Sequence, residues 1–365
     1  MQNQKNRVLI VDDSSFMGQL LRNLLGAENF TVEVARNGQE AIELVRSFRP
    51  HVVTMDIEMP VMSGLEALEV IMAESPLPVI MVSAQTVRGA KISLRALELG
   101  AFDIVAKPNP EDTNYFETFR RELMTKVKIA LLVPPEKLVK PILSKPVPIP
   151  GPNLVPNPAP NPARTSAFAA LLIGTSTGGP TALQQVLTQL PQDFPLPVLV
   201  VQHMPPNFTK LMAERLDSLC PLDVKEAEDR DAVAAGRVLI APGGRQMALA
   251  LAGTRVVVRI SKDSPAATPY KPSVNVLFRS AAEIYGKRTL ALVLTGMGSD
   301  GLEGSGILKQ QGACIVAESE DTCIVYGMSK SVVEAGLADK VLPLSEIARF
   351  VMHKVYSERS VGDES

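Results

Sequence analysis

A chain of 365 residues fits two domains better than one or three, at roughly 150 residues per domain. Its 46% hydrophobic and 21% charged residues exclude a mostly disordered protein, and no apolar run comes near the roughly 18 residues of a membrane helix. The net charge of −2 is spread thinly, with 14 basic against 17 acidic residues over 1–130, 4 against 1 over 131–165 and 19 against 21 over 166–365, so no segment is basic enough to bind nucleic acid through its phosphates.

The first strand-like run, Arg7–Val11, meets Asp12 and Asp13 after four apolar residues. No secretory signal is expected there, and the chain's sparse cysteines lead to the expectation of a cytoplasmic protein. Further strand-like runs at Thr31–Ala35, Val52–Met55, Val79–Val82 and Asp103–Ala106 alternate with helix-like stretches such as Phe16–Leu25 and Ala41–Phe48. Five strands alternating with five helices predict a parallel (βα)5 sheet covered on both faces.

Ligands of such a sheet sit beyond the carboxyl ends of its strands. Those ends carry Asp12 and Asp13 after the first strand, Asp56 after the third, Ser83 after the fourth and Lys107 after the fifth. Converging carboxylates repel one another and call for a hard, oxygen-binding cation such as Mg²⁺. A neighbouring hydroxyl and ammonium suit an anionic group, and the set fits an acyl-phosphate on a carboxylate nucleophile. VDDSSFM, VTMDIEMPVMSGLEAL, VSAQT and FDIVAKP resemble the receiver domain of two-component response regulators over about 120 residues. The resemblance implies phosphorylation of Asp56 by a sensor histidine kinase, Mg²⁺ held by Asp12, Asp13, Asp56 and the backbone of Glu58, and Ser83 and Lys107 sensing the phosphate. Three positions before the lysine, where the family usually has an aromatic switch residue, this chain has Ile104.

Proline marks the boundary. A background of about 5% predicts roughly 18 prolines; the chain has 29, of which 11 lie between Pro134 and Pro162. Residues 131–165 are therefore expected to form a semi-stiff, solvated linker between a first domain over 1–130 and a second over 166–357, with 358–365 as a tail.

The second domain repeats the alternation. Its strand candidates are Phe168–Ile173, Pro197–Gln202, Arg237–Ala241, Arg255–Ile260, Thr289–Leu294 and Ala313–Ala317, with helices at Pro180–Leu190, Lys210–Leu219 and Val274–Tyr285. A doubly wound α/β domain is expected, in which Ala248–Ile260, with Gly253 between two apolar runs, reads either as a hairpin or as a parallel element. Cys220, Cys314 and Cys323 are an odd, sparse set, fitting a reduced compartment. With no histidine near them, Cys314 and Cys323 read as buried apolar residues and not as metal ligands.

LIGTSTGGP, Leu172–Pro180, runs from a strand through a glycine turn into a helix. Ser176 is expected exposed on that turn, near the positive end of the helix. The motif alone leaves three readings open: a nucleophilic serine, a phosphate-cradling loop and an ordinary tight turn. Of the three histidines, His51 lies in the first domain and His353 in a C-terminal helix pattern, whereas His203, in VLVVQHMPP, ends a strand and is the leading general base. ALVLTGMGSDG places Asp300 beyond another strand, where a buried acid can orient an imidazole. Ser176, His203 and Asp300 together predict a Ser-His-Asp triad. Its chain order differs from that of the α/β-hydrolases, and the glycines do not form the dinucleotide fingerprint.

A receiver, a linker and a domain with GTSTGGP, QHMP and TGMGSDG resemble the protein-glutamate methylesterases of bacterial chemotaxis over nearly the whole chain. The resemblance implies phosphorylation-regulated hydrolysis of glutamate methyl esters on chemoreceptors, with methanol released, and deamidation of receptor glutamines. It implies no cofactor for that hydrolysis and no membrane insertion. The Met297 amide would serve as an oxyanion donor, and the unmodified receiver would cover the active site. APGG (Ala241–Gly244) and YKPSVN (Tyr270–Asn275) also match the family, as segments lining or shaping the cleft. A DNA-binding output domain is disfavoured by the missing basic helix; an esterase acting on a protein outside chemotaxis is the other alternative.

Overall fold

A computed structural model describes residues 6–84, 86–108, 115–138, 166–263 and 268–357. These fall into two compact units, each with its own parallel sheet. In the first unit, β1 (Arg7–Val11), β2 (Thr31–Ala35), β3 (Val52–Asp56), β4 (Val79–Ser83) and β5 (Asp103–Ala106) lie in the order β2-β1-β3-β4-β5. Helices α1 (Ser15–Ala27), α2 (Gly38–Phe48), α3 (Gly64–Glu74), α4 (Val87–Glu98) and α5 (Tyr115–Ala130) complete the expected alternation. Every residue of β3 and β4 is buried, as strands covered on both faces require. Ser14, Asn37, Ser63 and Thr86 cap four of the helices, each accepting the N–H three residues on.

Strands β3 and β4 each run one residue past the apolar pattern. Asp56 pairs with Val82 and Ser83 with Ala106, because the ladder continues into a polar residue that hydrophobicity does not mark. Residues 139–165, which hold most of the expected linker, and the 358–365 tail lie outside the described residues. At 135–137 the chain makes a short 3-10 turn.

The second unit has a seven-stranded parallel sheet. Its strands are β6 (Ala170–Thr175), β7 (Val198–Gln202), β8 (Asp223–Glu226), β9 (Arg237–Ile240), β12 (Thr289–Val293), β13 (Cys314–Glu318) and β14 (Lys340–Leu342). They lie in the order β14-β13-β12-β6-β7-β9-β8. The two edge strands, β8 and β14, are short and largely polar or exposed, a usual property of edges, and the apolar pattern did not reveal them. Arg255–Ile260 is not part of this sheet. Strands β10 (Gln246–Ala252) and β11 (Arg255–Ser261) pair antiparallel across a turn at Gly253, φ 64°, so the hairpin alternative holds. The hairpin packs on helix α8 (Val274–Tyr285), burying Met247, Leu249 and Val258 together with Leu277 and Ala281.

Helices α6 (Gly179–Leu187), α9 (Leu302–Gln310), α10 (Met328–Glu334) and α11 (Leu344–Ser357) complete the unit, and α7 (Phe208–Asp217) follows β7 in the chain. The chain leaves β6 for β7 on one side and later returns to β12 on the other. That reversal makes the carboxyl end of β6 the topological switch point, where such sheets open a crevice for ligands. Among the described residues no helix is long and apolar enough to cross a membrane.

Candidate receiver and active sites

At the carboxyl edge of the first sheet, Asp12, Asp13 and Asp56 each place a carboxylate oxygen within 4.8 Å of the others. Asp12 and Asp56 are buried and Asp13 is exposed. Lys107 reaches across, its Nζ 2.6 Å from Asp56 Oδ2 and 3.0 Å from Asp12 Oδ2. Burial pushes the Asp56 carboxyl above its ordinary pKa; the Lys107 hydrogen bond and charge pull back only in part, and Asp12 adds to the rise. Burial also works against the Lys107 charge, but its bonds to Asp56 and Asp12 outweigh this and raise its pKa. Three close carboxylates balanced by one ammonium form a donor set of hard oxygens, which fits Mg²⁺.

Ser83 is buried, and its carbonyl accepts the Lys107 N–H at 2.7 Å. The Glu58 side chain is ion-paired with Arg88 (3.0 Å) and does not join the carboxylates. Ile104 is buried on β5 at 2% exposure.

The carboxyl ends of β6, β7 and β12 bring Ser176, His203 and Asp300 to one edge of the second sheet. Ser176 follows β6 directly. Gly178, with φ 79°, makes the turn, and Gly179 opens α6 where a Cβ would lie 2.7 Å from Thr175 Oγ1 and closer still to Gln202 Oε1. Contrary to expectation, Ser176 is buried, at 9% exposure. The turn after β12 closes over it: a Cβ on Gly296 would sit 2.9 Å from Ser176 Cβ and 3.0 Å from its N, so only glycine allows this approach. The Ser176 N–H donates to Thr295 O at 3.0 Å. Met297, the proposed oxyanion donor, is the next residue of that turn.

His203 Nε2 lies 2.8 Å from Asp300 Oδ2. The Asp300 carboxylate also accepts from Ser273 Oγ (2.9 Å), Val274 N (2.7 Å), Asn275 N (3.1 Å) and its neighbour Gly301 N (3.1 Å). It therefore sits on the first turn of α8, where the helix dipole favours a negative charge. Burial alone would raise its pKa; the His203 hydrogen bond and charge and the N–H groups of Val274 and Asn275 outweigh this and hold it below the ordinary aspartate value. An ionised carboxylate only accepts, so Nε2 carries the proton and Nδ1 is left with the lone pair. Nδ1 is buried and has no hydrogen-bond partner among the described residues. Nδ1 is thus the ring nitrogen able to accept a proton, and it is not hydrogen-bonded to the Ser176 hydroxyl.

The sequence reading placed Tyr270 and Gln202 only within matching segments and gave neither an individual role, and it did not single out Gln246. Gln202 is buried, and its Nε2 donates to Ser176 O (2.9 Å) and His203 O (3.1 Å), tying the two loops together. The Tyr270 ring is stacked on the His203 imidazole. Gln246, also buried, donates to Tyr270 O (2.7 Å) and accepts from Ser273 N (2.9 Å). The Gly244 N–H donates to Lys271 O at 3.0 Å. APGG and YKPSVN thus have a structural role: the first anchors the second, and the second cradles Asp300.

His51 and His353 are both exposed. Of the cysteines, Cys323 is buried as expected, whereas Cys314 is only half-buried. Burial, aided by Asp217, pushes the Cys220 thiol up to about 12, so it stays protonated and unreactive.

The fold and these two carboxyl edges define a receiver domain followed in the same chain by a second parallel α/β unit, that of an enzyme. A family model described as CheB methylesterase matches residues 171–351, and one described as response regulator receiver domain matches residues 8–114. The chain is 43% identical over 380 residues to a protein-glutamate methylesterase/protein-glutamine glutaminase of Desulfitobacterium hafniense, covering 95% of this chain and 97% of that one. It is 43% identical over 367 residues to a protein of the same description from Oleidesulfovibrio alaskensis, covering 96% and 99%. The crystal structure of the Thermotoga maritima CheB methylesterase catalytic domain is similar at 44% identity and a TM-score of 0.50, covering 51% of this chain and 98% of that one. The chain belongs to the receiver-linked CheB methylesterase family.

Proposed function

We propose that this chain hydrolyses glutamate methyl esters on chemoreceptors in the cytoplasm, deamidates receptor glutamines at the same site, and is controlled by phosphorylation of Asp56. The observation that carries the chemistry is the His203 Nε2–Asp300 Oδ2 bond of 2.8 Å at the switch point that also presents Ser176. In this reading Ser176 Oγ attacks the ester carbonyl while His203 Nδ1 takes its proton. Turn amides, including that of Met297, bind the oxyanion. Nδ1 returns the proton to the departing methoxide, and methanol leaves a glutamyl-Ser176 ester. Water then attacks that ester, losing a proton to Nδ1, and as the acyl–Oγ bond breaks Nδ1 returns the proton to Ser176 Oγ and the glutamate carboxyl is released. For a glutamine substrate the leaving group is ammonia.

In the receiver, a sensor histidine kinase is the phosphodonor and Asp56 the acceptor. Asp12, Asp13, Asp56 and the Glu58 backbone would hold Mg²⁺, which supplies charge neutralisation to the transferring phosphoryl group. Ser83 and Lys107 would then contact the phosphate. Residues 1–130, 131–165 and 166–357 serve as receiver, linker and esterase.

The test is methanol release from methylated receptor membranes by the full chain and by Ser176→Ala. The variant is expected to lose about 10³-fold or more in kcat with its fold intact. Activity within tenfold of wild type would reject the assignment.

A further inference from the structure

The Tyr270 ring lies over the His203 imidazole with centroids 4.4 Å apart and planes 5° from parallel. A single hydrogen bond from Nε2 to Asp300 fixes one atom of the ring and leaves its tilt free. The Cβ–Cγ torsion of histidine is broad and supplies little restraint of its own. A parallel aromatic face removes that freedom, because tilting the imidazole would drive it into the phenol ring. We propose that Tyr270 is a positioning residue that sets the plane of His203 and thereby aims Nδ1 at the Ser176 hydroxyl.

Tyr270 is itself well fixed. Its carbonyl accepts from the buried Gln246 Nε2 at 2.7 Å, and the same Gln246 accepts the Ser273 N–H at 2.9 Å. Its hydroxyl lies over Gly298, where a Cβ would come within 2.8 Å. Residues 270–275 therefore hold the imidazole by its face and Asp300 by Ser273 Oγ and the N–H groups of Val274 and Asn275. One short segment sets the two groups relative to each other, so a shift of its first residue acts on the base without touching the acid. Nδ1 has no bonding partner among the described residues, so its direction depends on the ring plane alone.

This inference rests on the assignment of Ser176, His203 and Asp300, and the experiment separates the two. The full chain is compared with Tyr270→Phe, Tyr270→Leu, Tyr270→Met and Ser176→Ala. The readouts are kcat and KM for methanol release, the rate of serine labelling by a fluorophosphonate, and the ¹⁵N spectrum of His203. Misplacing a catalytic atom by about 1 Å costs on the order of 10²-fold. Tyr270→Leu and Tyr270→Met are therefore expected to lose about 10- to 100-fold in kcat and in labelling, with KM little changed. Tyr270→Phe, which keeps the ring, should stay close to wild type. The His203 spectrum should show the Nε2–H tautomer in every folded variant, with the Nδ1 signal sharp in the wild type and the Phe variant and broadened by ring motion in Leu and Met. Two non-aromatic variants guard against one of them failing to fold. Full kcat in either folded non-aromatic variant, a loss confined to KM, or equal loss in Phe and Leu would each overturn the proposal. Ser176→Ala retaining labelling would instead overturn the site assignment.

Discussion

Replacing Asp300 by asparagine tests the cradle more sharply than removing the side chain, because the shape is kept and only the hydrogen-bond grammar changes. Each carboxylate oxygen now accepts several donors: Oδ2 from His203 Nε2 and Val274 N, and Oδ1 from Ser273 Oγ, Asn275 N and Gly301 N. An amide NH₂ must replace one of them. On the Oδ2 side it opposes the 2.7 Å bond from Val274 N. On the Oδ1 side, Ser273 can rotate to accept, and Gly301 N keeps its 3.0 Å bond to Asn275 Oδ1, leaving Asn275 N–H with no acceptor. The second arrangement gives up a longer bond and should prevail.

One orphaned buried donor costs about 1–3 kcal/mol, and losing a charge at a helix N-terminus costs about 0.3–1 kcal/mol more. The variant should therefore be destabilised by about 1–4 kcal/mol in urea unfolding of the second unit. Its carbonyl still accepts from Nε2, so the useful tautomer survives and some turnover should remain. The loss in kcat should be smaller than the roughly 10⁴-fold known where such a change inverts the tautomer. Acid narrows the stability gap. The folded pKa of Asp300 lies below the ordinary 3.8, so its contribution is present above 3.8 and is lost as pH falls through the lower folded value. A variant as stable as wild type at pH 7, or a gap that widens in acid, would refute the cradle.

His203→Gln should abolish methanol release while His353→Gln, at an exposed site, leaves it unchanged; equal damage with both folds retained would mean the wrong histidine was chosen. Gly296→Ala places a Cβ 2.9 Å from Ser176 Cβ and should lower kcat by about 10²-fold through displacement of the serine, read by fluorophosphonate labelling; unchanged labelling would show that the turn gives way freely. A small-molecule phosphodonor with Mg²⁺ should raise full-length methanol release, and Asp56→Asn should remove that response while keeping basal activity; the isolated 164–365 fragment should exceed the unphosphorylated full chain. A full chain no less active than the fragment and indifferent to the donor would leave the receiver as a docking module.

Much of this was legible because it is local. Alternating apolar runs marked both parallel sheets, and polar residues at or just beyond the strands' carboxyl ends, as at Asp56, Ser83 and His203, or in the turn that follows, as at Asp300, marked the candidate sites. The edge strands β8 and β14 were not legible, since they bury little and carry few apolar residues. Ser176 misled in another way. Its glycine turn reads as an exposed tip, yet the turn at Gly296, 120 residues away in sequence, covers it. Turn grammar reports backbone shape and says nothing of what packs on it.

The least legible residues are those whose work is done at a distance. Tyr270 faces a histidine 67 positions earlier, and Gln246 bonds a strap 24 to 27 residues later. Neither lies on a period, and neither residue type announces a role. A glutamine after the glycine-rich turn at 242–245 reads as surface, yet Gln246 is 1% exposed. Its burial is tolerable only because both ends of its amide are used, and using both ends is what fixes the strap. Gln202 bridges with one end only: its Nε2 donates to the carbonyls of Ser176 and His203, while its buried Oε1 has no partner among the described residues. A buried amide that bridges two loops costs desolvation wherever it sits, and here both such amides lie next to the reacting groups. The arrangement of Ser176, His203 and Asp300 is thus tied to residues outside the three, and a sequence motif built from those three alone omits the parts that hold them in register.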